Sequence, residues 1–488
     1  MNHDLATATT ALAERRSGDV LAPLERAAAV DTPDPAHWRR VVEIASQIGD
    51  DDLALSAARR LLGLAPRDPA LRSSVADLLS DTGNVRDAVA ITRKLLDENP
   101  RHPMLPAALG DQLSRLGRDD EALRSLRLAI RRDPGMPTAW ESLSNLRTFR
   151  AGDPEFVELE KLARASADRP ETAGYAFAYA KACDDVGDVD AAYEWFARAN
   201  RRVLGGRVPG TDGLYSAAAD VRAAFPPGRA SAVAPADRPE RPILVLGCPR
   251  SGTTLAERIL STAHGATPGG ELKLLRLACL GFAPPSPARL AEFVRSSGDE
   301  SAAWESVART YVAKLQTRFG RADGVIDKGL VNYLYVGALA LGLPQARILH
   351  LRRDPMDVAW SCFRRRFHEG LDWSYAFDSI AAFLSVYEAT VEHWKQVLPG
   401  RILTVRFEAL VSDPEAVTAQ MFEFAGLERP ADWQTFHERR GVVLTASQRQ
   451  VRRPLNADGV GAWRRYERHL APLKDALRRH GVPGASDL

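Results

Sequence analysis

A glycine recurs at nearly constant spacing through the first two hundred residues of the chain. The intervals are 34, 34, 35 and 35 residues, between Gly49, Gly83, Gly117, Gly152 and Gly187. Alanines stand five residues after four of these glycines and prolines seventeen residues after three, at Ala54, Ala88, Ala122, Ala192, Pro66, Pro100 and Pro134. Paired helices with a tight turn, a small packing face and a terminal proline produce such a pattern. We therefore predict helical repeats over residues 1–205.

The unit that begins at Gly152 is less regular than the others. It has Val157 where the other units have alanine, and Pro170 stands one position late. The alternative to a repeat array is a plain helical bundle with chance spacing. Glycine, alanine and proline recur together with the same spacing, which argues against that alternative.

The sequence changes character twice after residue 205. Residues 206–240 hold many glycines and prolines, which predicts a linker. From residue 241 onward, short β-branched and leucine-rich runs alternate with helical stretches, and strands are predicted at 242–246, 324–326, 347–351 and 401–405. This alternation predicts a parallel sheet with helices on both faces, in a domain over residues 241–488.

Composition limits the possible partners and location of the chain. Its 65 lysines and arginines nearly balance its 63 aspartates and glutamates, which argues against a nucleic-acid-binding protein. The four cysteines lack metal-ligand spacing and suggest a reducing compartment. The first residues do not read as a secretory signal, and the apolar runs are too short to span a membrane. We expect a cytoplasmic protein.

The strongest motif is Gly247-Cys-Pro-Arg-Ser-Gly-Thr-Thr254, between a predicted strand and a helical pattern over 255–262. Such a turn directs backbone N–H groups and the positive end of a helix towards one point, which suits a phosphate or sulfate group. The spacing matches G-x-x-x-x-G-K-S/T, but Thr253 occupies the lysine position. Because that lysine reaches the β- and γ-phosphates in P-loop NTPases, its loss argues against ATP or GTP hydrolysis.

This loop resembles the P-R-S-G-T-T donor loop of the sulfotransferase superfamily, and the likeness extends over roughly residues 242–470. It is strongest to tyrosylprotein sulfotransferases and to bacterial proteins that join tetratricopeptide repeats to such a domain. The resemblance implies an α-helical repeat domain followed by an α/β P-loop-like sulfotransferase domain with a parallel sheet. It also implies transfer of a sulfuryl group from the adenosine phosphosulfate donor PAPS to a hydroxyl or phenol, leaving PAP. The implied donor contacts in the loop are Arg250, Ser251, Gly252, Thr253 and Thr254.

A second donor motif of this family is Arg-x7-Ser at a strand-to-helix junction. Arg353 and Ser361 match it and follow the predicted strand at 347–351. Asp354 and Pro355 suit the N-cap and first turn of the helix between them, and an arginine supplies a forked phosphate contact. The resemblance implies that Arg353 and Ser361 bind the 3′-phosphate.

The resemblance also implies a catalytic set, which includes Arg250 of the loop. Glu271, in Pro268-Gly-Gly-Glu271, corresponds to the base that takes the acceptor proton, and Lys328 to the lysine that stabilises the leaving phosphate oxygen. The implied catalytic set also includes Ser447, and Arg453 is implied as a further donor contact. Both fall in a segment similar to Ser-x-x-Gln-Val-x-Lys-Pro-x-Asn, with Arg453 in place of lysine. Without the resemblance, Glu271 reads as a first-turn helix residue and Lys328 as a surface lysine.

Several further interpretations accompany this assignment. The run Arg364-Arg365-Arg366 is typical of a solvated helix face, and no cluster has metal-ligand spacing, so we expect no metal. The repeats predict a concave surface for a protein or peptide partner. Two other functions stay open: a nucleotide kinase with Asp327 holding a metal, and a non-enzymatic scaffold with a degenerate domain. The acceptor and the oligomeric state do not follow from the sequence.

Overall fold

The computed structural model describes residues 2–14, 17–228, 239–367, 371–439, 441–442, 444–445 and 449–485. The chain divides into two compact units, each assembled from three separate stretches of sequence. The first unit comprises Met1–Asn84, Tyr215–Arg352 and Tyr387–Asn456, and the second comprises Val85–Leu214, Arg353–Val386 and Ala457–Leu488.

Helices occupy most of the first 224 residues. Those of the first unit are α1 (His3–Ala13), α2 (Leu21–Ala29), α3 (Pro35–Ile48), α4 (Asp51–Leu64) and α5 (Pro69–Asp81). Those of the second unit are α6 (Val85–Glu98), α7 (Leu105–Arg115), α8 (Asp119–Arg132), α9 (Pro137–Leu146), α10 (Pro154–Ala165), α11 (Ala173–Val186) and α12 (Val189–Leu204). Another helix, α13 (Asp212–Ala224), falls within the stretch predicted as a linker.

The helical repeat predicted from the glycine spacing is confirmed. All five glycines have a left-handed backbone, with φ between 75° and 86°, as the turn after a helix requires. The four alanines at the small packing position are completely buried. Helices α4, α6 and α8 each end two residues before the prolines of the pattern. Val157, in the irregular unit, is 56% exposed, so this position does not provide the buried small face of the other units.

The sheet has five parallel strands in the order β2-β3-β1-β4-β5. They are β1 (Ile243–Gly247), β2 (Thr267–Gly270), β3 (Val325–Asp327), β4 (Arg347–Arg352) and β5 (Ile402–Arg406). The four predicted strands are present, each displaced by a residue or less at its ends. The prediction missed β2, which pairs with β3 through a register shift between Pro268 and Gly270.

Helices follow the strands as an alternating pattern requires. They are α14 (Thr253–Leu260), α15 (Leu274–Ala278), α16 (Pro287–Ser297), α17 (Glu300–Phe319), α18 (Val336–Gly342), α19 (Pro355–Phe363), α20 (Phe377–Val397), α21 (Phe407–Ser412), α22 (Pro414–Ala425) and α23 (Ala471–Arg479). None of the helices in the described residues is long and apolar enough to cross a bilayer.

Both faces of the sheet are covered, as its central strand shows. Ile243 and Val245 of β1 belong to one buried hydrophobic cluster, together with Ile259, Met421 and Phe422. Leu244 and Leu246 belong to a different cluster. Because successive side chains of a strand point to opposite faces, the two clusters lie on opposite sides of the sheet.

The second of these clusters also contains the first helices of the chain. Its buried members from α1 to α4 include Leu5, Leu24, Trp38, Val41, Ile44 and Leu61, and from the sheet region they include Leu244, Leu272, Trp304, Tyr311 and Val336. Polar contacts accompany this packing, since Arg318 pairs with Asp52 at 2.8 Å and Arg276 donates to the carbonyl of Ile48 at 3.2 Å. Helices α1–α4 and the sheet therefore share one core. The domain boundaries at residues 205 and 240 remain predictions.

In the second unit, the segment after α19 packs against repeat helices. Arg364 and Arg366 pair at 3.1 Å with Asp184 of α11 and Glu141 of α9, and Arg365 donates to Asn145. Arg364 and Arg366 are 27% and 29% exposed. The interpretation of this run as a solvated helix face is therefore wrong: carboxylates of the repeats bind two of its cations, and an amide binds the third.

Candidate active site

The predicted donor loop connects the end of β1 to the start of α14. Among the described residues, Arg250 is the non-glycine residue with a positive φ, 73°. A backbone conformation of this kind costs about 1–3 kcal/mol and persists only where the surrounding structure enforces it. Gly252 has φ 104°, and a Cβ at this position would lie 2.7 Å from the ring of Phe407. Arg250 is thus held in a backbone conformation that a non-glycine residue does not favour, while Gly252 suits its own positive φ.

Side chains of the loop are buried and contact a later segment of the first unit. The hydroxyl of Thr254 lies 3.1 Å from that of Thr445, and Arg250 donates to Gln450 Oε1 at 2.9 Å. The hydroxyl of Ser251 is buried and has no hydrogen-bond partner among the described residues. Buried polar groups are usually paired, so an unpaired one next to a helix N-terminus is a candidate ligand contact.

Two further predicted residues, Arg453 and Ser447, belong to the same segment of the sequence. Arg453 is exposed and directly follows the short 3-10 helix Gln450–Arg452. Ser447 lies outside the described residues. Their predicted roles therefore remain predictions.

Arg353 and Ser361 belong to the second unit. The side chain of Asp354 accepts the Asp357 N–H at 2.9 Å and Pro355 is the first helical residue, which confirms the predicted N-cap and first turn of α19. Ser361 lies near the end of α19 and is buried. Arg353 donates to the carbonyl of Gly459 and lies 3.7 Å from the Asp357 carboxylate.

Asp357 holds the turn that follows this arginine contact. Its carboxylate accepts the N–H groups of Gly461 at 2.7 Å and Trp463 at 3.2 Å. Burial raises the pKa of Asp357, while Arg353 and the two N–H groups act to lower it. The side chain of Arg353 is thereby fixed between a carboxylate and a backbone carbonyl.

The structure brings together Glu271 and Lys328. Lys328 follows β3 and is 2% exposed, so the reading of it as a surface lysine is wrong. Its ammonium lies 3.2 Å from Glu271 Oε1, and the Glu271 side chain keeps 34% of its surface exposed. A buried cation and a partly accessible carboxylate therefore form a pair beyond the ends of β2 and β3.

A second carboxylate approaches the same lysine. Glu257 Oε2 lies 4.0 Å from the Lys328 ammonium, and Glu257 Oε1 accepts the Gly270 N–H at 2.7 Å. Burial raises the pKa of Glu257, with Lys328 opposing this effect. Glu257 was not predicted as a site residue, although its position four residues after Thr253 places both on one face of α14.

Asp327 fixes the turn that presents Lys328. Its carboxylate accepts the Gly329 N–H at 2.8 Å, the Asn332 side-chain amide at 2.9 Å and the Tyr311 hydroxyl at 2.8 Å. Burial raises the pKa of Asp327 to about 6, although these three donors act to lower it. Within the part of the chain that the structure describes, there is no group of three or more His, Cys, Asp or Glu side chains placed to hold a metal.

Sheet topology explains why these groups meet. β1, β2 and β3 are parallel neighbours, so the donor loop, Glu271 and Lys328 all follow strand ends at the same edge of the sheet. Ligands of open α/β sheets bind beyond the carboxyl ends of the strands. The described site of the first unit thus joins an anion-binding loop to a lysine–glutamate pair.

Comparison with known proteins agrees with this geometry. Residues 242–431 match the family model described as sulfotransferase family, and residues 4–141 match a tetratricopeptide repeat. One part of the chain thus matches the sulfotransferase family, and another part matches tetratricopeptide repeats.

Two relatives illustrate the range of similarity. The chain is 32% identical over 257 residues to an uncharacterised protein of Aquifex aeolicus, a match that covers 49% of this chain and 32% of that protein. It is 22% identical over 241 residues to a putative protein-tyrosine sulfotransferase of Caenorhabditis briggsae, covering 46% of this chain and 81% of that protein. The match thus spans about a third of the first relative's length.

Two solved structures are each similar to less than half of the chain. The sulfotransferase domain of the Synechococcus PCC 7002 olefin synthase is 20% identical, with a TM-score of 0.36. The match covers 48% of this chain and 90% of that domain's chain. MamA of Desulfovibrio magneticus RS-1 is 14% identical, with a TM-score of 0.27. The match covers 34% of this chain and 94% of the MamA chain.

Proposed function

We propose that this protein is a PAPS-dependent sulfotransferase that sulfates a hydroxyl or phenol. The observation that carries the proposal is the Lys328–Glu271 pair at 3.2 Å. The pair lies at the carboxyl ends of the strands, where the donor loop also begins. In the proposed reaction the acceptor oxygen forms a bond to sulfur while the bond between sulfur and the bridging phosphate oxygen breaks. PAP leaves, and the acceptor proton passes to Glu271.

The two members of the pair serve opposite ends of this reaction. Sulfuryl transfer resembles phosphoryl transfer in that the leaving group gains negative charge in an open transition state. A buried ammonium such as Lys328 stabilises that charge more than an exposed one, because little water screens it. Glu271 keeps enough exposed surface to reach an acceptor hydroxyl.

The loop supplies donor binding in this proposal. The N-terminus of α14 and the hydroxyls of Ser251, Thr253 and Thr254 offer hydrogen-bond donors to the phosphosulfate group. Arg250 adds a positive charge, and Gly252 leaves room for close approach. On the resemblance of their motifs, Arg353 and Ser361 are proposed as contacts of the 3′-phosphate, Arg453 as a further donor contact and Ser447 as a catalytic residue.

The nucleotide-kinase alternative receives less support. Thr253 replaces the lysine that such enzymes use on the β- and γ-phosphates. Asp327, its candidate metal ligand, already accepts three hydrogen bonds from the protein. We propose further that the repeats bind a protein or peptide, either the acceptor or another partner, and that the protein acts in the cytoplasm.

Ligand-dependent melting tests the donor assignment. A ligand present at about one hundred times its Kd stabilises the folded protein by about 2.7 kcal/mol. We expect PAP or PAPS to raise the melting temperature and Mg-ATP at the same concentration to leave it nearly unchanged. Equal or greater stabilisation by Mg-ATP would contradict the proposal. Labelled PAPS with a tyrosine peptide, a sugar, a lipid and a simple phenol then identifies the acceptor class.

A further inference from the structure

The peptide groups on either side of Gly270 are both held by neighbouring elements. Glu257 Oε1 accepts the Gly270 N–H at 2.7 Å, and the Gly270 carbonyl accepts the backbone N–H of Lys328 at 3.0 Å. Gly270 directly precedes Glu271 in the chain. The backbone that places Glu271 is therefore tied to α14 on one side and to the end of β3 on the other.

Glu257 also lies close to the lysine of the proposed pair. Its second oxygen, Oε2, is 4.0 Å from the Lys328 ammonium, while Oε1 is occupied by Gly270. A single side chain thus contacts both the backbone before Glu271 and the cation that binds Glu271. Its neighbour Arg258 donates instead to the carbonyls of Phe436 and Arg439.

The position of Glu257 is unusual for a residue with only a packing role. Its side chain is buried, although α14 contributes Ala256, Ile259 and Leu260 to an apolar cluster. A buried carboxylate is costly unless a cation and hydrogen-bond donors compensate it. Here Lys328 and the Gly270 N–H provide that compensation. The contacts that offset the burial of Glu257 are those that place Glu271 and Lys328.

We propose that Glu257 is a positioning residue for sulfuryl transfer, which holds the Gly270 peptide and Lys328 so that Glu271 and Lys328 stay aligned. This inference rests on the proposed function, since it assigns Glu257 a role in the same site. Glu257 acts through Gly270 and Lys328 and has no assigned contact with donor or acceptor. Its loss is therefore expected to affect turnover more than donor binding.

Two substitutions separate the contacts of Glu257. Glu257→Gln keeps a carbonyl oxygen for the Gly270 N–H and nearly the same volume, but it removes the charge beside Lys328. Glu257→Met keeps the length of the side chain and removes both contacts. We expect Glu257→Met to lower kcat by about a hundredfold, because small misplacements of catalytic groups have effects of that size. Glu257→Gln should recover most of this loss.

The experiment uses the full chain and two readouts. The first is turnover of labelled PAPS with 4-nitrophenol as acceptor, giving kcat and KM separately. The second is amide hydrogen exchange at Gly270, which needs no acceptor and should accelerate in Glu257→Met but not in Glu257→Gln. Ile259→Val, a buried change in the same helix, is the control for a general loss of stability and should leave both readouts unchanged.

The outcomes distinguish this inference from the proposed function. Unchanged Gly270 exchange in Glu257→Met, or unchanged kcat in that variant, would overturn the positioning role. A kcat loss in Ile259→Val as large as that in Glu257→Met would overturn it as well. Failure of PAP to stabilise the unaltered protein would instead reject the proposed function, while the exchange measurement would still report whether Glu257 holds Gly270.

Discussion

The ammonium group of Lys314 lies 2.6 Å from the carboxylate of Asp50, and the Asp50 side chain is completely buried. Asp50 is the N-cap of α4 in the repeats, where it accepts the Leu53 N–H, and Lys314 belongs to α17 of the sheet region. Burial acts to lower the pKa of Lys314, but Asp50 and Glu25 outweigh it and raise that pKa. The contact thus secures a helix cap and the shared core together.

Replacing Lys314 with methionine is expected to destabilise the first unit strongly. The change leaves Asp50 buried without its cation, and breaking a buried pair in this way costs about 3–5 kcal/mol. Urea unfolding followed by circular dichroism measures the effect. Lys161→Met is the control, because Lys161 and Glu158 form an exposed pair at 3.9 Å, and such pairs contribute about 0–1 kcal/mol. Equal losses in the two variants would refute the role of the Asp50 contact.

Lys328→Ala and Glu271→Gln are expected to reduce turnover more than donor binding. Both groups act on charge or protons that move in the transition state, so kcat should fall by about 10²- to 10⁴-fold. PAP should still raise the melting temperature of each variant. Glu292→Gln removes an exposed glutamate and is the control for Glu271→Gln. Near-normal kcat in Glu271→Gln, with an identified acceptor, would show that another group is the base.

Gly252→Ala is expected to distort the donor loop. The alanine would have to adopt φ near 104°, and backbone strain of this kind costs about 1–3 kcal/mol. Its Cβ would also lie 2.7 Å from the Phe407 ring. We expect a lower melting temperature and a smaller PAP-induced shift. Gly210→Ala is the control, since a Cβ there meets no atom within 4 Å and its φ is not positive. A full PAP shift in Gly252→Ala would show that the loop tolerates the change.

Asp327 is expected to make stability depend on pH in a defined direction. Its pKa is raised from 3.8 to about 6 in the folded protein. The folded state therefore binds this proton more tightly than the unfolded state does. The resulting contribution to the unfolding free energy is complete below pH 3.8 and is lost as the pH rises through 6.

Asp327→Asn should remove this dependence. The unfolding free energy of the unaltered protein minus that of the variant should decrease between pH 4 and pH 7, by at most on the order of 3 kcal/mol. Urea unfolding at several pH values checks this, and Asp475→Asn is the control at an exposed site. An increase over the same range would mean that the three hydrogen-bond donors lower the pKa of Asp327 by more than burial raises it.

Local patterns predicted much of this fold. The repeat glycines, the donor loop and the cap of α19 depend on backbone conformations that a few residue types favour, so their sequence carries the signal. Strand β2 escaped prediction because its sequence, Thr-Pro-Gly-Gly, has little β-propensity and forms a strand only by pairing with β3. Nothing in the local sequence near Trp38 shows that it shares a core with Tyr311.

The candidate site was predictable only where a motif carried it. Glu271 and Lys328 came from a family resemblance, and the structure brings the two together. Glu257 has no motif, and its proposed role arises from contacts with Gly270 and Lys328, which follow it by 13 and 71 residues. The ion pairs of Arg364 and Arg366 were likewise not predictable from the local sequence. Their carboxylate partners lie more than 170 residues earlier, at Asp184 and Glu141.

The interrupted sequence of the first unit has a consequence for its synthesis. Helices α1–α4 are synthesised before the strands that complete their core, which lie beyond residue 240. At ordinary rates of translation, their apolar faces wait on the order of tens of seconds for those partners. Apolar surface that stays exposed during this interval is prone to aggregation. Slowing translation should therefore lower the yield of folded protein rather than raise it.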